Sequence, residues 1–223
     1  MAFDLSPLSM VVVSGAQAET FLQSQLTCDV TYANHTSSLL SAHCNIKGRM
    51  VSLFYLFKQE NTFCLLMPGD VVDIAAKALK KYAQFSKDVV ITVETELPFV
   101  GVIDEPADIV LGRHPHYGLK HSDNTKAEDA FDDWQDAMIQ NYHAWLTPET
   151  LGQLLPHDIE LPKLGGVSFK KGCFIGQEII ARMEYLGKLK KHVKLTFPSE
   201  IAEDEIEICR SCDHMLVIAK TVV

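Results

Sequence analysis

The stretch Leu39-Leu40-Ser41-Ala42-His43-Cys44-Asn45-Ile46-Lys47-Gly48-Arg49-Met50-Val51-Ser52-Leu53-Phe54-Tyr55-Leu56-Phe57 decides the fold class. Two apolar runs rich in strand formers flank Asn45 to Arg49, which puts Asn and Gly where a hairpin needs positive φ, so the segment reads as an antiparallel strand pair. Working outward, Met10 to Val13 is a short β-branched strand, Ser14-Gly15 a turn, and Ala16 to Leu26 a helix with Ala18, Phe21, Leu22 and Gln25-Leu26 near one face. On the other side, Thr62 to Met67 is a strand. Pro68-Gly69-Asp70 leads into a helix from Val71 to Tyr82 with Asp70 as its N-cap, and Asp88 to Val93 closes the unit. Strand, helix, three strands, helix and strand joined by short connections is an α+β pattern with a mainly antiparallel sheet.

Further along, Leu97 to Leu111 predicts one or two strands. Gly112 to Asp133 is polar, holds His114, His116 and His121 beside a run of Asp and Glu, and reads as a mobile connection. Trp134 to Ile139 reads as a strand, and Thr147-Pro148-Glu149 as a helix start with Thr as cap and Pro at the first helical position. Residues 175–187 predict a helix whose Ile179, Ile180, Met183 and Leu186 form one apolar stripe ended by Gly187, and His192 to Val223 offers three short strands. The expected division is 1–111, an N-terminal α+β portion; 112–190, a second portion carrying the Cys173 motif; and 191–223, a short C-terminal β domain.

At 223 residues, 47% apolar and 22% charged, the chain has the composition of a globular protein. Residues Met1 to Ser9 lack the basic start of a secretory leader, no apolar run approaches the roughly 20 residues of a membrane span, and six irregularly spaced cysteines suggest reduced thiols. These features lead us to expect a cytoplasmic protein that does not engage a membrane. The net charge of −9 argues against a protein that coats nucleic acid. Lys163 to Lys194 nevertheless holds eight Lys or Arg against Glu178 and Glu184, a local +6 that leaves −15 on the remainder. That run suits a solvated basic face or an attractor for an anionic ligand or RNA.

The densest chemistry is Lys170-Lys171-Gly172-Cys173-Phe174-Ile175-Gly176-Gln177-Glu178, a glycine-punctuated turn delivering a cysteine just ahead of a helix. Two lysines and a helix N-terminus would favour the thiolate of Cys173; the alternative is a small cysteine buried under Phe174. Glu178 and Arg182, four apart with the acid first, suit either a surface pair or an Arg182 that binds a carboxylate. Cys209-Arg210-Ser211-Cys212 with His214 has the spacing of half a metal site, but no second pair with that spacing exists and no metal is expected. The chain has no phosphate-binding glycine loop, no dinucleotide fingerprint and no Gly-x-Ser-x-Gly elbow.

Phe21 to Thr27, Ala42 to Asn45 with Lys47-Gly48-Arg49, Lys81-Tyr82 with Phe85-Ser86-Lys87, and above all Leu164 to Arg182 resemble the YgfZ-type folate-binding proteins, relatives of the glycine-cleavage T-protein. The likeness covers residues 9–94 and 131–195. It implies a T-protein-like cloverleaf with ferredoxin-like antiparallel sheet portions, a tetrahydrofolate pocket and a small C-terminal β-barrel-like domain. The implied role is assistance to iron-sulfur cluster assembly or repair in transiently bound client enzymes, including radical enzymes that modify tRNA, with no direct nucleic acid binding. The functional thiol of the family falls on Cys173, and the folate-binding positions on Gln140, Ser52, Lys171, Gln177 and Arg182. Two departures stand out. Gln140, flanked by Trp134 and Ile139, replaces a glutamate that accepts from the pterin ring; and aligning the Asn-x-x-Gly turn places Ser52 where T-proteins carry a catalytic aspartate. The resemblance therefore implies an accessory protein, with a folate-dependent aminomethyltransferase as the alternative.

Overall fold

The computed structural model describes residues 1–112, 116–122, 126–187 and 191–220. The strands, in chain order, are β1 (Ala2–Phe3), β2 (Leu8–Ser14), β3 (Leu39–Cys44), β4 (Met50–Gln59), β5 (Thr62–Pro68), β6 (Val90–Glu94), β7 (Phe99–Ile103), β8 (Ile109–Val110), β9 (Tyr117–His121), β10 (Lys191–Thr196), β11 (Ile206–Arg210) and β12 (Met215–Lys220). The α-helices are α1 (Ala18–Gln25), α2 (Val72–Ala83), α3 (Phe131–Gln140) and α4 (Gln177–Leu186).

Three antiparallel sheets result: β3-β4-β5-β2-β6, β1-β7-β9-β8 and β10-β12-β11. Alternation along the first sheet decides what lies on each face, because successive strand side chains point to opposite sides. Val11, Val13, Phe54, Leu56 and Leu65 pack with Leu22 of α1 and Ala75 and Leu79 of α2. Met10, Leu40, Tyr55 and Phe57 join the opposite core, which runs through Leu119 and Trp134 to Ile208 and Ile218 of the C-terminal sheet. The molecule is a mixed α and β protein built on antiparallel sheets, and its C-terminal sheet is an open three-stranded one among the described residues. Among those residues no helix is long and apolar enough to cross a membrane.

Five sequence expectations need correction. Within the expected loop 112–133, Tyr117–His121 is strand β9, paired with β7 and with β8 across residue 112; Tyr117 and Leu119 are buried while Lys120 and His121 face out. This short run is obscured in the sequence by its polar flanks. Trp134 to Ile139 is helical: Trp134, Met138 and Ile139 fall on one buried face, and Asp132 and Asp133 in the first turn favour the positive helix end. Thr147-Pro148-Glu149 starts only a turn, closed by the Thr147 N–H donating to Thr150 Oγ1 at 2.9 Å and ended at Gly152, where φ is 72°. Asp70 does not cap α2, whose N-cap is Val71 without a side-chain bond. In α4 the expected stripe narrows to buried Ile180, because Leu186 is 81% exposed. His114 lies outside the described residues.

Candidate functional site

The β3–β4 turn and the loop ahead of α4 are fitted to each other through two glycines. Asn45 Oδ1 accepts from the Lys47 and Arg49 N–H groups at 2.9 and 3.2 Å, shaping a turn in which Gly48 takes φ 71°. Gly176, the N-cap of α4, has φ 80°, and a methyl placed there would meet Asn45 O at 2.5 Å and Gly48 Cα at 2.9 Å. The Ile175 N–H donates to Ser24 O at 3.3 Å, so the loop also seats on the end of α1. Lys171 completes the seat. Its ammonium donates to Leu26 O at 2.7 Å and Cys28 O at 2.6 Å and lies 5.2 Å from the centre of the Phe174 ring. Burial pulls its pKa down to about 8, opposed by Cys28 and Asp29.

Two cavities flank this seat. The larger, about 650 Å³, lies between the edge strand β3 and the segment Pro162 to Lys170 and is walled by Leu40, Val167, Phe169, Tyr185, Asp29 and Lys170, among others. This is within the usual size of small-molecule sites, with apolar and aromatic walls and a few polar groups. The smaller, about 280 Å³, is lined by Glu19, Thr20, Gln23, Ser24, Thr31 and Cys173. Gln23 and Thr31 connect the two, since both donate to Asp29 Oδ1, Gln23 through Nε2 at 2.8 Å and Thr31 through its hydroxyl at 2.7 Å and its N–H at 3.2 Å.

The structure distributes the candidate residues unevenly. Cys173 is exposed, whereas Cys28, Cys44, Cys64 and Cys209 are buried; the packed-cysteine alternative fails. Of the two lysines that precede it, Lys171 donates to the Leu26 and Cys28 carbonyls and Lys170 lines the other cavity. Gln177 is half-buried in the first turn of α4, and its N–H bonds Phe174 O at 3.1 Å. Glu178 and Arg182 are both exposed and form no ion pair among the described residues. Ser52 is fully buried, with its Oγ unpartnered among the described residues; it sits opposite His43, whose ring lies edge-on to Tyr82 of α2 at 6.0 Å, so it faces the helices. Gln140 lies at the end of α3, exposed, and Ser52 and Gln140 are not brought together.

Gln140 has a local reason to be an amide. Its Nε2 donates to Asp136 Oδ2 at 2.6 Å, and Asp136 also accepts from the Ser211 hydroxyl and faces His214 Nδ1 at 2.9 Å, tying α3 to the C-terminal sheet. A glutamate at 140 would set a second carboxylate against Asp136. Cys212, the exposed half of the Cys-x-x-Cys pair, donates to Asp132 Oδ2 at 2.8 Å, and no metal-holding group of His, Cys, Asp and Glu occurs among the described residues. The residue that sequence reading missed is Asp29. Its signal is local: Asp29 followed two residues later by Thr31 is an Asx-type cap on the 3₁₀ turn Val30–Tyr32.

No family model matches the chain. Among curated proteins, the tRNA-modifying protein YgfZ of Klebsiella pneumoniae (strain 342) is 30% identical over 224 residues, covering 84% of this chain and 68% of that protein. The tRNA-modifying protein YgfZ of Colwellia psychrerythraea is 29% identical over 84% of this chain and 68% of its own length. An uncharacterized protein of Haemophilus influenzae is 34% identical over 84% of this chain and 70% of its own length. Among solved structures, the glycine cleavage system aminomethyltransferase T from Bartonella henselae matches with a TM-score of 0.61 at 12% identity, covering 98% of this chain and 78% of that one. That likeness extends to the fold alone, but the sequence matches reach further: the chain belongs to the YgfZ family.

Proposed function

We propose that the chain binds tetrahydrofolate or a derivative in the 650 Å³ cavity and acts in the cytoplasm as an accessory protein for iron-sulfur enzymes, tRNA-modifying enzymes among them. The observation that carries this reading is the cavity itself: apolar and aromatic walls, one carboxylate and one free lysine, set against the loop that presents Cys173. Those residues suit a flat heterocycle with an acidic tail, and folate has that shape. The same reading takes the three sheets as the arms of a T-protein-like cloverleaf, with the C-terminal sheet in the place of a small barrel. Of the positions expected from the family, Lys171 and Gln177 act by holding the loop, Arg182 offers an unpaired guanidinium on α4, and Ser52 and Gln140 stand back from the ligand.

Aminomethyl transfer is the weaker reading. Ser52 is buried against the helices and carries no charge. Asp29 is held ionised by hydrogen bonds from Thr31 first and Gln23 next, which lower its pKa and make it a poor proton acceptor near neutral pH.

The role of Cys173 tests the accessory reading. Cys173→Ser exchanges one exposed atom, so its melting temperature should fall within about 2 °C of the parent. Yet in a strain lacking its own YgfZ, the parent chain should restore the activity of a tRNA-thiolating iron-sulfur enzyme and the variant should not. Equal rescue by both would remove Cys173 from the function, and rescue by neither would remove the iron-sulfur role.

A further inference from the structure

Asp29 uses its two oxygens unequally. Oδ1 takes all three of its hydrogen bonds, from Gln23 Nε2, the Thr31 N–H and the Thr31 hydroxyl, at 2.8, 3.2 and 2.7 Å. Oδ2 takes none among the described residues. Gln23 is itself fixed, because its Oε1 accepts from the Val30 N–H at 2.8 Å. The carboxylate is thus locked by one oxygen and offers the other, and Asp29 lines the 650 Å³ cavity. A locked acceptor loses little rotamer freedom on binding, which is the condition under which one hydrogen bond discriminates well. Lys170, exposed and in no ion pair among the described residues, lines the same cavity and supplies a cation there. The two charges ask for a ligand with an N–H donor edge and, apart from it, a carboxylate or phosphate.

We propose that Asp29 Oδ2 is the acceptor that reads the 2-amino-4-oxopyrimidine edge of the ligand in this cavity, taking a hydrogen bond from its exocyclic 2-amino group, with Lys170 meeting the acidic part. This assignment rests on the folate reading and deepens it: the pterin is read from the Val30–Tyr32 turn, and Gln140 is left to bond Asp136. The same edge occurs in guanine, so a guanine nucleotide is the other source of that chemistry, and the basic, aromatic setting of Phe169, Lys170 and Tyr185 does not by itself reject it.

Calorimetric titration separates these. The parent chain should take up tetrahydrofolate more tightly than GMP, and Asp29→Asn should weaken tetrahydrofolate by about 10- to 100-fold, the range for a hydrogen bond to a charged group. The same variant should hold p-aminobenzoylglutamate, which lacks the pterin, as well as the parent does, and that retention also reports an intact fold; Lys170→Ala should weaken both ligands, because both carry the acidic part. On the unmodified chain, a 2-desamino-2-methyl analogue of tetrahydrofolate should lose affinity by the same factor as Asp29→Asn. Equal affinity for the analogue and for tetrahydrofolate would overturn the role of Asp29 while leaving folate binding intact. Uptake of GMP but not tetrahydrofolate, lost in Asp29→Asn, would keep Asp29 as the acceptor and overturn the folate reading. Uptake of neither would overturn both.

Discussion

Gly176→Ala is expected to destabilise the chain by about 2–4 kcal/mol, the sum of a left-handed conformation forced on a non-glycine residue and a methyl driven into packed backbone. Gly176 has φ 80°, and the added carbon would meet Asn45 O at 2.5 Å and Gly48 Cα at 2.9 Å, both main-chain atoms that cannot rotate away. Relief would require the β3–β4 turn to part from α4, which would also disturb the loop that carries Cys173. For a chain of this size the melting temperature should drop by roughly 5–15 °C. Gly172→Ala is the matched control in the same loop, because a methyl there meets nothing within 4 Å. A Gly176→Ala protein that melts with the Gly172→Ala one would show that the two turns are not packed as described.

The second large effect is on acid stability and comes from His43. The ring is 1% exposed, neither nitrogen has a hydrogen-bond partner among the described residues, and burial lowers its pKa from 6.5 to about 4. Between those values the unfolded chain binds a proton that the folded chain refuses, so stability falls as pH drops through that window and is unaffected by this group above it. The loss by pH 4 is about 3 kcal/mol, because each factor of ten in proton affinity is worth about 1.36 kcal/mol. Carboxylates held low, such as Asp29 and Asp136, add their losses only at lower pH. Urea midpoints at pH 7, 5.5 and 4.5 should fall steeply for the parent and much less for His43→Gln, which cannot charge. Parallel curves would assign the acid sensitivity elsewhere.

The N-terminal unit was legible because its signals are local. Leu39–Cys44 and the start of the next strand at Met50 stand where alternation and the Asn45 to Gly48 turn put them, and α1 and α2 follow the 3.6-residue spacing within two residues. The central part was less legible because its elements are stabilised from outside. Strand β9 exists by pairing with β7, which lies on the other side of the 104–116 connection. Trp134 to Ile139 is apolar enough for a strand, and only burial against both sheets settles it as a helix. The site shows the same split. The Cys173 motif was visible as a local pattern, but the hand of Lys171 was not, since its partners Leu26 and Cys28 are more than 140 residues away in sequence. The cavity walls come from 28–40, 112 and 162–185, and a resemblance carried residue by residue points to ligand positions, such as Ser52, that this packing turns toward the helices.

Tetrahydrofolate titrated into the unmodified chain under reducing conditions, followed by calorimetry and by melting, should show saturable binding. At 100 times the dissociation constant it should add about 2.7 kcal/mol of stability, a rise in melting temperature of roughly 5–10 °C. No heat and no shift at millimolar tetrahydrofolate would contradict the folate reading.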